Sequence, residues 1–518
     1  MPEHIRALVV ILLLATVVFV FAKVPACALA NVTKDFERRR NLWFVVTVTA
    51  FLAHSFWLFL VVTAVILCFS YSREPNKLAM FYALLFAVPA ISAEITGLGV
   101  INSFFSIHYV RLLALVILLP AYFHLRQQPG VVPFGKLATD KFVAGYIILN
   151  ICLMLPITSF TATLRQGVFY AFVDIFLPYY VASRSLKTIA EFRDALMAFA
   201  VAAMVVALIG VFEFARHWLL YSTLDNAWGM KWEMGNYLGR GEVLRAQAST
   251  GHSIVLGYVV SVAMGFFVFL KKSIPKTLPW RLGMAALAGG LIAPVARGPW
   301  MGAAAMLLVF IATGPSPGKG FSRLAVLCVV GIPLLFIIPG GQSIINYLPF
   351  VGNVEVGSVT YRQRLLEVSI GVVMMNPVFG DHNFWYLPVM QQLKQGEGII
   401  DLVNTFLGIA LVNGLVGLFL FAGAFFVPAL GILRAMKHLG DKTHEAHQLG
   451  QAMLAVLAGI VVTITTVSSI TVVPVVYWSV IGVAVACIKL IEAPEKSEIT
   501  VAVDRKSQRS RRHSYMGS

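Results

Sequence analysis

Charged side chains are scarce in this sequence. Only 12% of its 518 residues are Asp, Glu, Lys or Arg, whereas 59% are hydrophobic, and the mean hydropathy is +0.82. A soluble domain of this length needs far more polar surface than this composition provides. The scarcity of charge therefore excludes a soluble globular protein and indicates a polytopic membrane protein.

Motifs that mark soluble binding sites are also lacking. The sequence has no Walker A motif, no GxGxxG between a strand and a helix, and no cluster of zinc ligands. Its five cysteines are scattered through mostly apolar segments, which argues against a disulfide framework. The net charge of +16 would suggest nucleic acid in a soluble protein. In a membrane protein it indicates loops that face an anionic leaflet, so we expect no nucleic-acid partner, no metal and no cofactor.

Long apolar runs occupy most of the chain. A helix that spans a bilayer needs about 20 mostly apolar residues. The candidate spans are 7–22, 43–70, 78–100, 107–124, 142–158, 167–182, 195–219, 252–270, 282–296, 299–314, 323–339, 403–432, 451–468 and 474–491. We therefore predict an all-α polytopic fold with about 12–14 transmembrane helices, in which the short 167–182 and 282–296 segments are candidates for re-entrant loops.

The lysine and arginine bias of the loops predicts the orientation of these helices. The tail 493–518 is rich in basic residues and is expected to be cytoplasmic. Counting helices backward places the basic loops near Arg434, Arg323, Lys271 and Arg184 on the same side, together with 125–141. The rule fails at 23–42, whose basic residues would face outward.

The same count places two long polar segments, 220–251 and 340–402, on the external face. The chain is thus expected to consist of an N-terminal bundle (1–339), a large helical periplasmic loop (340–402), C-terminal transmembrane helices (403–492) and a basic cytoplasmic tail (493–518).

Arginines at the external face are the most informative residues of the chain. An arginine near bilayer depth is costly and stays charged, so it must face a partner or a wet cavity. Arg297 lies in a short turn between two apolar runs, Arg245 precedes a helix, and Arg362 and Arg364 lie in the large loop. Guanidinium groups suit phosphate oxygens, so these arginines indicate a lipid-linked phosphate. The alternative for each is an interfacial arginine that only snorkels to water.

Acidic and imidazole groups accompany these arginines. His252 follows Arg245 in a polar run that leads into a helix, where it could hydrogen-bond or titrate beside a phosphate. Asp401 and Asn404 lie at the start of another predicted helix, where Asp401 acts either as a general base or only as a helix cap. Glu367 lies three residues after Arg364, which permits an ion pair on a helix surface.

The turn Asn376-Pro-Val-Phe-Gly-Asp-His-Asn-Phe-Trp-Tyr386 combines aromatic rings with amide, imidazole and carboxylate groups. Such side chains suit carbohydrate, because sugars present apolar C–H faces as well as hydroxyl groups. His382 and Trp385 of this turn, together with Asn404, are therefore candidate contacts for a sugar acceptor.

The order of these motifs resembles that of a known family. An arginine in a polar turn is followed by Ala296-Arg-Gly-Pro-Trp-Met-Gly, by Arg-x-x-x-Leu and Asn-Pro-x-x-Gly in a long external loop, and by Asn-Thr-x-Leu and Asn-Gly-Leu-Val-Gly-Leu. Over roughly residues 165–435 this pattern is similar to the O-antigen ligase and Wzy-type polysaccharide polymerase superfamily. That family joins glycans carried on undecaprenyl pyrophosphate at the outer face of the bacterial inner membrane.

The resemblance implies roles for particular residues. Arg245, Arg297 and Arg364, with Arg362 as an alternative to the last, would bind the pyrophosphate and stabilise it as the leaving group. The ligases carry a His-Asn pair where this chain has Val403-Asn404, which favours a polymerase over a ligase. The catalytic base is then unassigned, with Asp401, His252, Glu367 and His382 as candidates in that order.

These inferences predict a metal-independent glycosyltransferase that polymerises undecaprenyl-pyrophosphate-linked repeat units into a surface or secreted polysaccharide. The expected partners are this lipid-linked oligosaccharide, membrane lipid, and chain-length regulators and export proteins. A ligase that delivers glycan to lipid A-core or another acceptor is the alternative within the class. A flippase or exporter of lipid-linked oligosaccharide is the alternative from another class.

Overall fold

The computed structural model of the chain is almost entirely helical. It describes residues 2–30, 33–97, 103–230, 232, 239–240, 243–337, 356–394, 400–439 and 441–492. The tail 493–518 and the first part of the large loop, 340–355, lie outside the described residues, so the predictions made for them do too.

The helices of the first half of the chain are α1 (Glu3–Ala30), α2 (Thr33–Leu52), α3 (Phe56–Tyr71), α4 (Lys77–Leu84), α5 (Tyr109–Gln127), α6 (Ala138–Met154), α7 (160–185), α8 (Ile189–Arg216) and the short α9 (Leu224–Ala227). Those of the second half are α10 (Ser253–Phe269), α11 (Thr277–Ile292), α12 (Arg297–Ala312), α13 (Pro317–Ile337), α14 (Val356–Met375), the short α15 (Pro388–Gln391), α16 (Thr405–His438), α17 (Glu445–Ile464) and α18 (Val473–Glu492). Two small hairpins pair β1 (Ser92–Thr96) with β2 (Ser103–His108), and β3 (Gly239–Arg240) with β4 (Val243–Leu244).

Seven helices within the described residues are long and apolar enough to cross a membrane. They begin at Glu3, Tyr109, Ile189, Ser253, Thr405, Glu445 and Val473. Two further apolar helices, Phe56–Tyr71 and Arg297–Ala312, are shorter. The chain is therefore an all-α polytopic membrane protein, as the sequence predicts.

The centre of the bundle is built on small residues. The alanine-rich helix α8 is buried along most of its length and packs against α1, α4, α10 and α11. A Cβ atom at Gly290 of α11 would lie 2.7 Å from the Cα atom of Ala207, so these two backbones touch. Helices α12 and α17 approach equally closely, because a Cβ atom at Gly302 would lie 2.7 Å from the Gly459 carbonyl oxygen. Small residues permit such close helix packing within membranes.

The early part of the chain corrects two predicted spans. Segment 43–70 is not one span, because the chain turns at 53–55 between α2 and α3. Segment 78–100 is not a span either, because α4 ends at Leu84 and the chain continues into β1. Apolar composition alone does not distinguish two short helices, or a helix and a hairpin, from one long helix.

Two other segments differ from their predicted form. The 167–182 run is the middle of α7, a continuous 160–185 helix whose Thr163–Phe176 portion is a π-helix. The 282–296 run overlaps α11 (Thr277–Ile292), a helix of 16 residues that begins five residues before the predicted start and ends four residues before the predicted end.

Helix α16 is interrupted about one third of the way along its length. At Gly414 its backbone has φ +65° and ψ −167°, and the segment 377–381 lies in the gap. The amides of Leu415 and Val416 donate to the carbonyl oxygens of Pro377 and Val378, at 2.8 and 3.2 Å. The Asp381 amide donates to the Leu411 carbonyl oxygen at 2.8 Å. These bonds satisfy the backbone groups that the break leaves without a helical partner, which is how irregular backbone is tolerated in a membrane protein.

The large loop that the sequence predicts to be external has a small hydrophobic core of its own. Its members come from α14, from the 384–400 segment and from the outer part of α16: Leu365, Val372, Val373, Phe384, Met390, Leu393, Ile400, Ala410 and Leu411. We call this assembly, residues 360–394 and 400–413, the external unit. It joins the bundle through α16.

Candidate functional site

Arg245 and Arg297 are held at one turn between α11 and α12. The Nε group of Arg245 donates to the Pro294 carbonyl oxygen at 3.2 Å, and the Ala246 amide donates to the Ala293 carbonyl oxygen at 3.3 Å. Arg297 is the first residue of α12, three positions after Pro294. The structure thus brings together two of the predicted phosphate-binding arginines, which are 52 residues apart in sequence.

A buried carboxylate shapes the segment that carries Arg245. Glu213, near the end of α8, is completely buried. One of its oxygens accepts from the amides of Gln247 and Ala248, at 2.9 and 2.8 Å, and the other accepts from the Leu220 amide at 3.0 Å. A buried carboxylate with this many donors is a firm anchor, because every donor would otherwise be unpaired. Glu213 therefore fixes the path of the chain between Arg245 and helix α10.

His252 caps the first turn of α10. Its Nδ1 atom accepts from the Ile254 amide at 3.2 Å, so the proton of the neutral ring is on Nε2. Burial lowers the pKa of His252 to about 4, with a further lowering by Arg245 and an opposing effect of Asp401. The ring is therefore neutral at physiological pH, and Nε2 is a hydrogen-bond donor rather than a base.

Asp401 is exposed at the start of the segment that leads into α16. Its Oδ1 atom accepts from the Val403 amide and from the Ser468 hydroxyl, both at 3.2 Å. Its carbonyl oxygen accepts from the Tyr361 hydroxyl at 3.1 Å. The Asp401 carboxylate raises the pKa of His252 slightly, against the larger lowering by burial and by Arg245. Asp401 thus joins the start of α14 to the segment between α17 and α18.

The turn between α17 and α18 contacts the start of α12, the start of α16 and Asp401. A Cβ atom at Gly298 would lie 2.0 Å from the Thr466 hydroxyl oxygen, so the start of α12 contacts this turn directly. Two residues further on, Ser468 bonds Asp401. Thr405 donates to the Val467 carbonyl oxygen at 2.7 Å, which fixes the start of α16 against the same turn. Arg297 and Asp401 therefore flank one turn.

Four turns that form the site contain backbone in the left-handed region. Ala248, Val295, Val403 and Thr471 have φ values of +47°, +48°, +30° and +48°. Three of these residues are β-branched, for which a positive φ is a genuine outlier. Such strain persists only when the surrounding structure enforces it, and it concentrates at functional sites. The backbone thus indicates the same location as the arginines.

Asn404 and the residues of α14 are placed less centrally. The Asn404 side-chain oxygen caps α16 by accepting from the Leu407 amide at 3.1 Å. Arg362 and Arg364 are exposed, one and three residues after Tyr361, which anchors α14 at Asp401. Glu367 is exposed farther along the same helix. The predicted Arg364–Glu367 ion pair does not occur among the salt bridges of the described residues.

His382 and Trp385 lie apart from Asp401. They belong to the turn that follows the segment inserted at Gly414, at the level of Leu411 rather than at the start of α16. The Nδ1 atom of His382 is buried without a hydrogen-bond partner, and the Trp385 ring packs on Phe384 with centroids 4.2 Å apart. Their role as sugar contacts stays a prediction.

Three residues of the site are not among the functional residues that the sequence predicts. They are Glu213, Tyr361 and Ser468, which position Arg245, α14 and Asp401. The run Thr465-Thr-Val-Ser-Ser469 between two apolar segments is polar enough to have indicated a site turn. Glu213 gives no such signal, because its partners are backbone amides. Within the described residues, no three His, Cys, Asp or Glu side chains converge to hold a metal ion.

Comparison with known proteins assigns no family: no family model matches this chain, and no curated protein sequence matches it significantly. A functional interpretation therefore depends on the site itself and on the motif order described above.

Proposed function

We propose that this protein is a glycosyltransferase that polymerises undecaprenyl-pyrophosphate-linked oligosaccharide repeat units, at the periplasmic face of a bacterial inner membrane. The observation that carries the proposal is geometric. Arg245 bonds the turn that leads to Arg297, and the start of α12 and Asp401 both contact the turn between α17 and α18. A membrane protein with cationic groups and a carboxylate at one lip of its helix bundle suits the transfer of a group from a lipid-linked phosphate.

The donor pyrophosphate would bind to Arg245 and Arg297. Arg297 begins a helix of 16 residues, so the dipole of α12 adds to its charge. The Nε2–H group of neutral His252 offers a further donor that adds no charge. Arg364 and Arg362 on α14, exposed beside the Tyr361 anchor, would contact the outer phosphate or the first sugar.

The reaction forms one glycosidic bond. A hydroxyl oxygen of the acceptor repeat unit attacks the anomeric carbon of the donor chain. The bond between that carbon and the pyrophosphate oxygen breaks, and undecaprenyl pyrophosphate leaves with the electron pair. The hydroxyl proton passes to a base on the protein. Arginines aimed at the leaving oxygens stabilise the charge that develops there.

Asp401 is the base that the geometry favours. It is exposed, and both hydrogen bonds given above fall on Oδ1, so Oδ2 is the oxygen that an acceptor hydroxyl would approach. His252 is a poorer candidate, since its Nδ1 atom accepts from the backbone. Glu367 is six residues beyond Tyr361, about 9 Å farther along α14 by the helical rise. Val403, where the ligases carry histidine, offers no group for proton transfer, which favours a polymerase.

The test is polysaccharide length in a deletion strain that carries the chain as wild type, Arg297→Ala or Asp401→Asn. We expect long polymer from wild type and single repeat units from both variants. Loss of an electrostatic donor slows a reaction by roughly 10²–10³-fold, and loss of a general base by roughly 10²–10⁴-fold.

Matched controls are Arg323→Ala and Asp441→Asn, which remove an exposed arginine and aspartate at the opposite end of the bundle. They should leave polymer length unchanged at equal membrane levels. Full-length polymer that stays lipid-linked in the deletion strain would instead identify a ligase. Accumulation of lipid-linked units on the cytoplasmic side would identify a transporter.

A further inference from the structure

The external unit carries an exposed apolar surface. On α14, Leu366, Ile370 and Met374 are spaced four residues apart and are all exposed. The opposite face of the same helix is buried in the core of the unit. The stripe continues past the helix into further exposed apolar residues: Met375, Val378, Phe379, Trp385, Tyr386 and Val389. We call this set the apolar rim.

The apolar rim lies beside the membrane-facing surface of α16. Val378, which is 51% exposed, accepts directly from the backbone of α16 one residue after Leu415. Leu415, Phe419, Phe426 and Leu430 form an exposed apolar stripe along α16 at helical spacing. In a membrane-spanning helix such a stripe faces lipid. The rim is therefore continuous with a lipid-facing surface.

The length of α16 sets the depth of the rim. At about 1.5 Å per residue, its 34 residues extend about 51 Å, more than the full bilayer thickness of about 40–45 Å. The part after Gly414 extends about 36 Å and suffices to cross the hydrocarbon core of about 30 Å. The break at Gly414, and with it Val378 and Phe379, thus falls at the boundary of the hydrocarbon on the side of the site.

Helix α14 runs from the site toward this boundary. Its Tyr361 end is bonded to Asp401, and just past its Met375 end Pro377 is bonded to Leu415. Its exposed residues are polar near the first end, at Gln363 and Glu367, and apolar near the second. Aromatic residues such as Trp385 and Tyr386, 79% exposed, are typical of the interface between lipid and water.

We propose that the apolar rim is immersed in the interfacial region of the bilayer, with acyl chains and headgroups of ordinary phospholipid as its occupant. This placement assigns Trp385 to lipid instead of sugar. The inference concerns membrane contact alone and does not depend on the proposed glycosyl transfer.

The test uses the full chain in nanodiscs of phosphatidylethanolamine and phosphatidylglycerol that contain no polyprenyl lipid. A photoreactive benzoylphenylalanine replaces Phe379 or Tyr386 on the rim, and Gln363 or Asn383 as matched exposed positions outside it. After irradiation, phospholipid adducts are measured by intact mass. We expect several-fold more adduct at the two rim positions than at the two controls.

Equal adduct at all four positions would overturn the proposal. So would crosslinks between two copies of the chain at the rim, or adduct that forms only after undecaprenyl phosphate is added. A second arm needs no photoreactive residue: the fluorescence difference between wild type and Trp385→Phe isolates Trp385. Brominated phospholipid should quench that difference, and an unquenched Trp385 would contradict immersion.

Discussion

At the scale of single residues, His252 shows how burial and one backbone contact define a role. The sequence offers it as a possible base, because a histidine beside an arginine can titrate near neutral pH. In the structure its Nδ1 atom is used as the helix cap and its pKa is about 4. It is therefore a neutral donor, a role that suits an anionic substrate at physiological pH.

The depressed pKa of His252 predicts a pH dependence of stability. Between pH 6.5 and 4 the unfolded chain binds a proton at this residue and the folded chain does not. The stabilisation is thus full above pH 6.5 and is lost as the pH falls toward 4, by up to about 3 kcal/mol. His252→Asn keeps a capping oxygen but cannot titrate. We expect its melting temperature in detergent to fall less between pH 7 and 4.5 than that of the wild type.

His217→Asn is the matched control, since His217 is exposed at the same end of the bundle and asparagine tolerates its left-handed backbone. This variant should follow the wild type across the pH range. Identical pH curves for wild type and His252→Asn would show that the imidazole is not buried beside Arg245 as described.

Residue identities at the site were only partly predictable. Arg245, Arg297 and Asp401 were identified as candidates because charges at the edge of apolar runs need a reason. Glu213 and Ser468 are not predicted from the sequence. Glu213 accepts from the Gln247 amide, 34 residues away, and Ser468 donates to the Asp401 carboxylate, 67 residues away. No local pattern encodes such pairs. The predicted pair of Arg364 and Glu367 had the right spacing, but both side chains are exposed, where an ion pair is worth little.

At the scale of elements, hydrophobic periodicity predicts the helices α14 and α16 but not the break in α16. The sequence predicts a helix over 361–375 and a helix that starts near 403, and both exist. The break at Gly414 was not predicted, because a lone glycine in an apolar helix is usually tolerated. The break requires the 377–381 segment as a partner, and that pairing is tertiary.

Gly414→Ala tests the break. The backbone at this position is one that L side chains rarely adopt, and a Cβ atom would lie 2.3 Å from the Val378 carbonyl oxygen. Alanine also favours a continuous helix, which would expel the inserted segment. We expect a loss of about 2 kcal/mol or more. The measurements are the melting temperature and protease cleavage within 376–386, both of which should report the released segment.

Gly408→Ala is the control on the same helix, because its nearest neighbour would be a flexible Leu402 methyl group at 3.3 Å. It should leave stability nearly unchanged. A Gly414→Ala protein that resists protease like the wild type would mean that the helix is not interrupted there.

At the scale of the whole molecule, the two ends of the bundle differ in chemistry. The site occupies one end. The other end is tied by ion pairs that link loops far apart in sequence, including Arg39 with Glu74 at 2.6 Å, Arg39 with Asp194 at 2.7 Å and Arg184 with Asp140 at 2.7 Å. The basic residues at 34–40 therefore lie with those near Arg184, and the exception to the positive-inside pattern disappears.

The error in the predicted topology has a single origin, the turn at 53–55. The apolar run 43–70 predicts one span where the structure has the end of α2 and all of α3, so the prediction places every residue before this run on the wrong side. Contacts confirm the corrected path: the Trp228 indole donates to the Ala50 carbonyl oxygen at 2.9 Å and stacks on Phe59. Trp228 belongs to the segment between α8 and Arg245, so the 53–55 turn lies at the end of the bundle that holds the site.

This path predicts that His54 and Arg73, both exposed, lie on opposite sides of the membrane. Short epitope tags inserted at these positions of the full chain should be accessible from opposite faces, in intact spheroplasts for one and only after lysis for the other. Tags at Asn226 and Lys442 supply the two references, because Asn226 lies in the segment that contacts Ala50 and Lys442 in a loop at the opposite end. The tag at 54 should match the one at 226, and the tag at 73 the one at 442. If the tags at 54 and 73 were accessible from the same face, segment 43–70 would be one long span and the basic loop 23–42 would again face outward. Only a turn within 43–70 places that loop on the same side as the other basic loops.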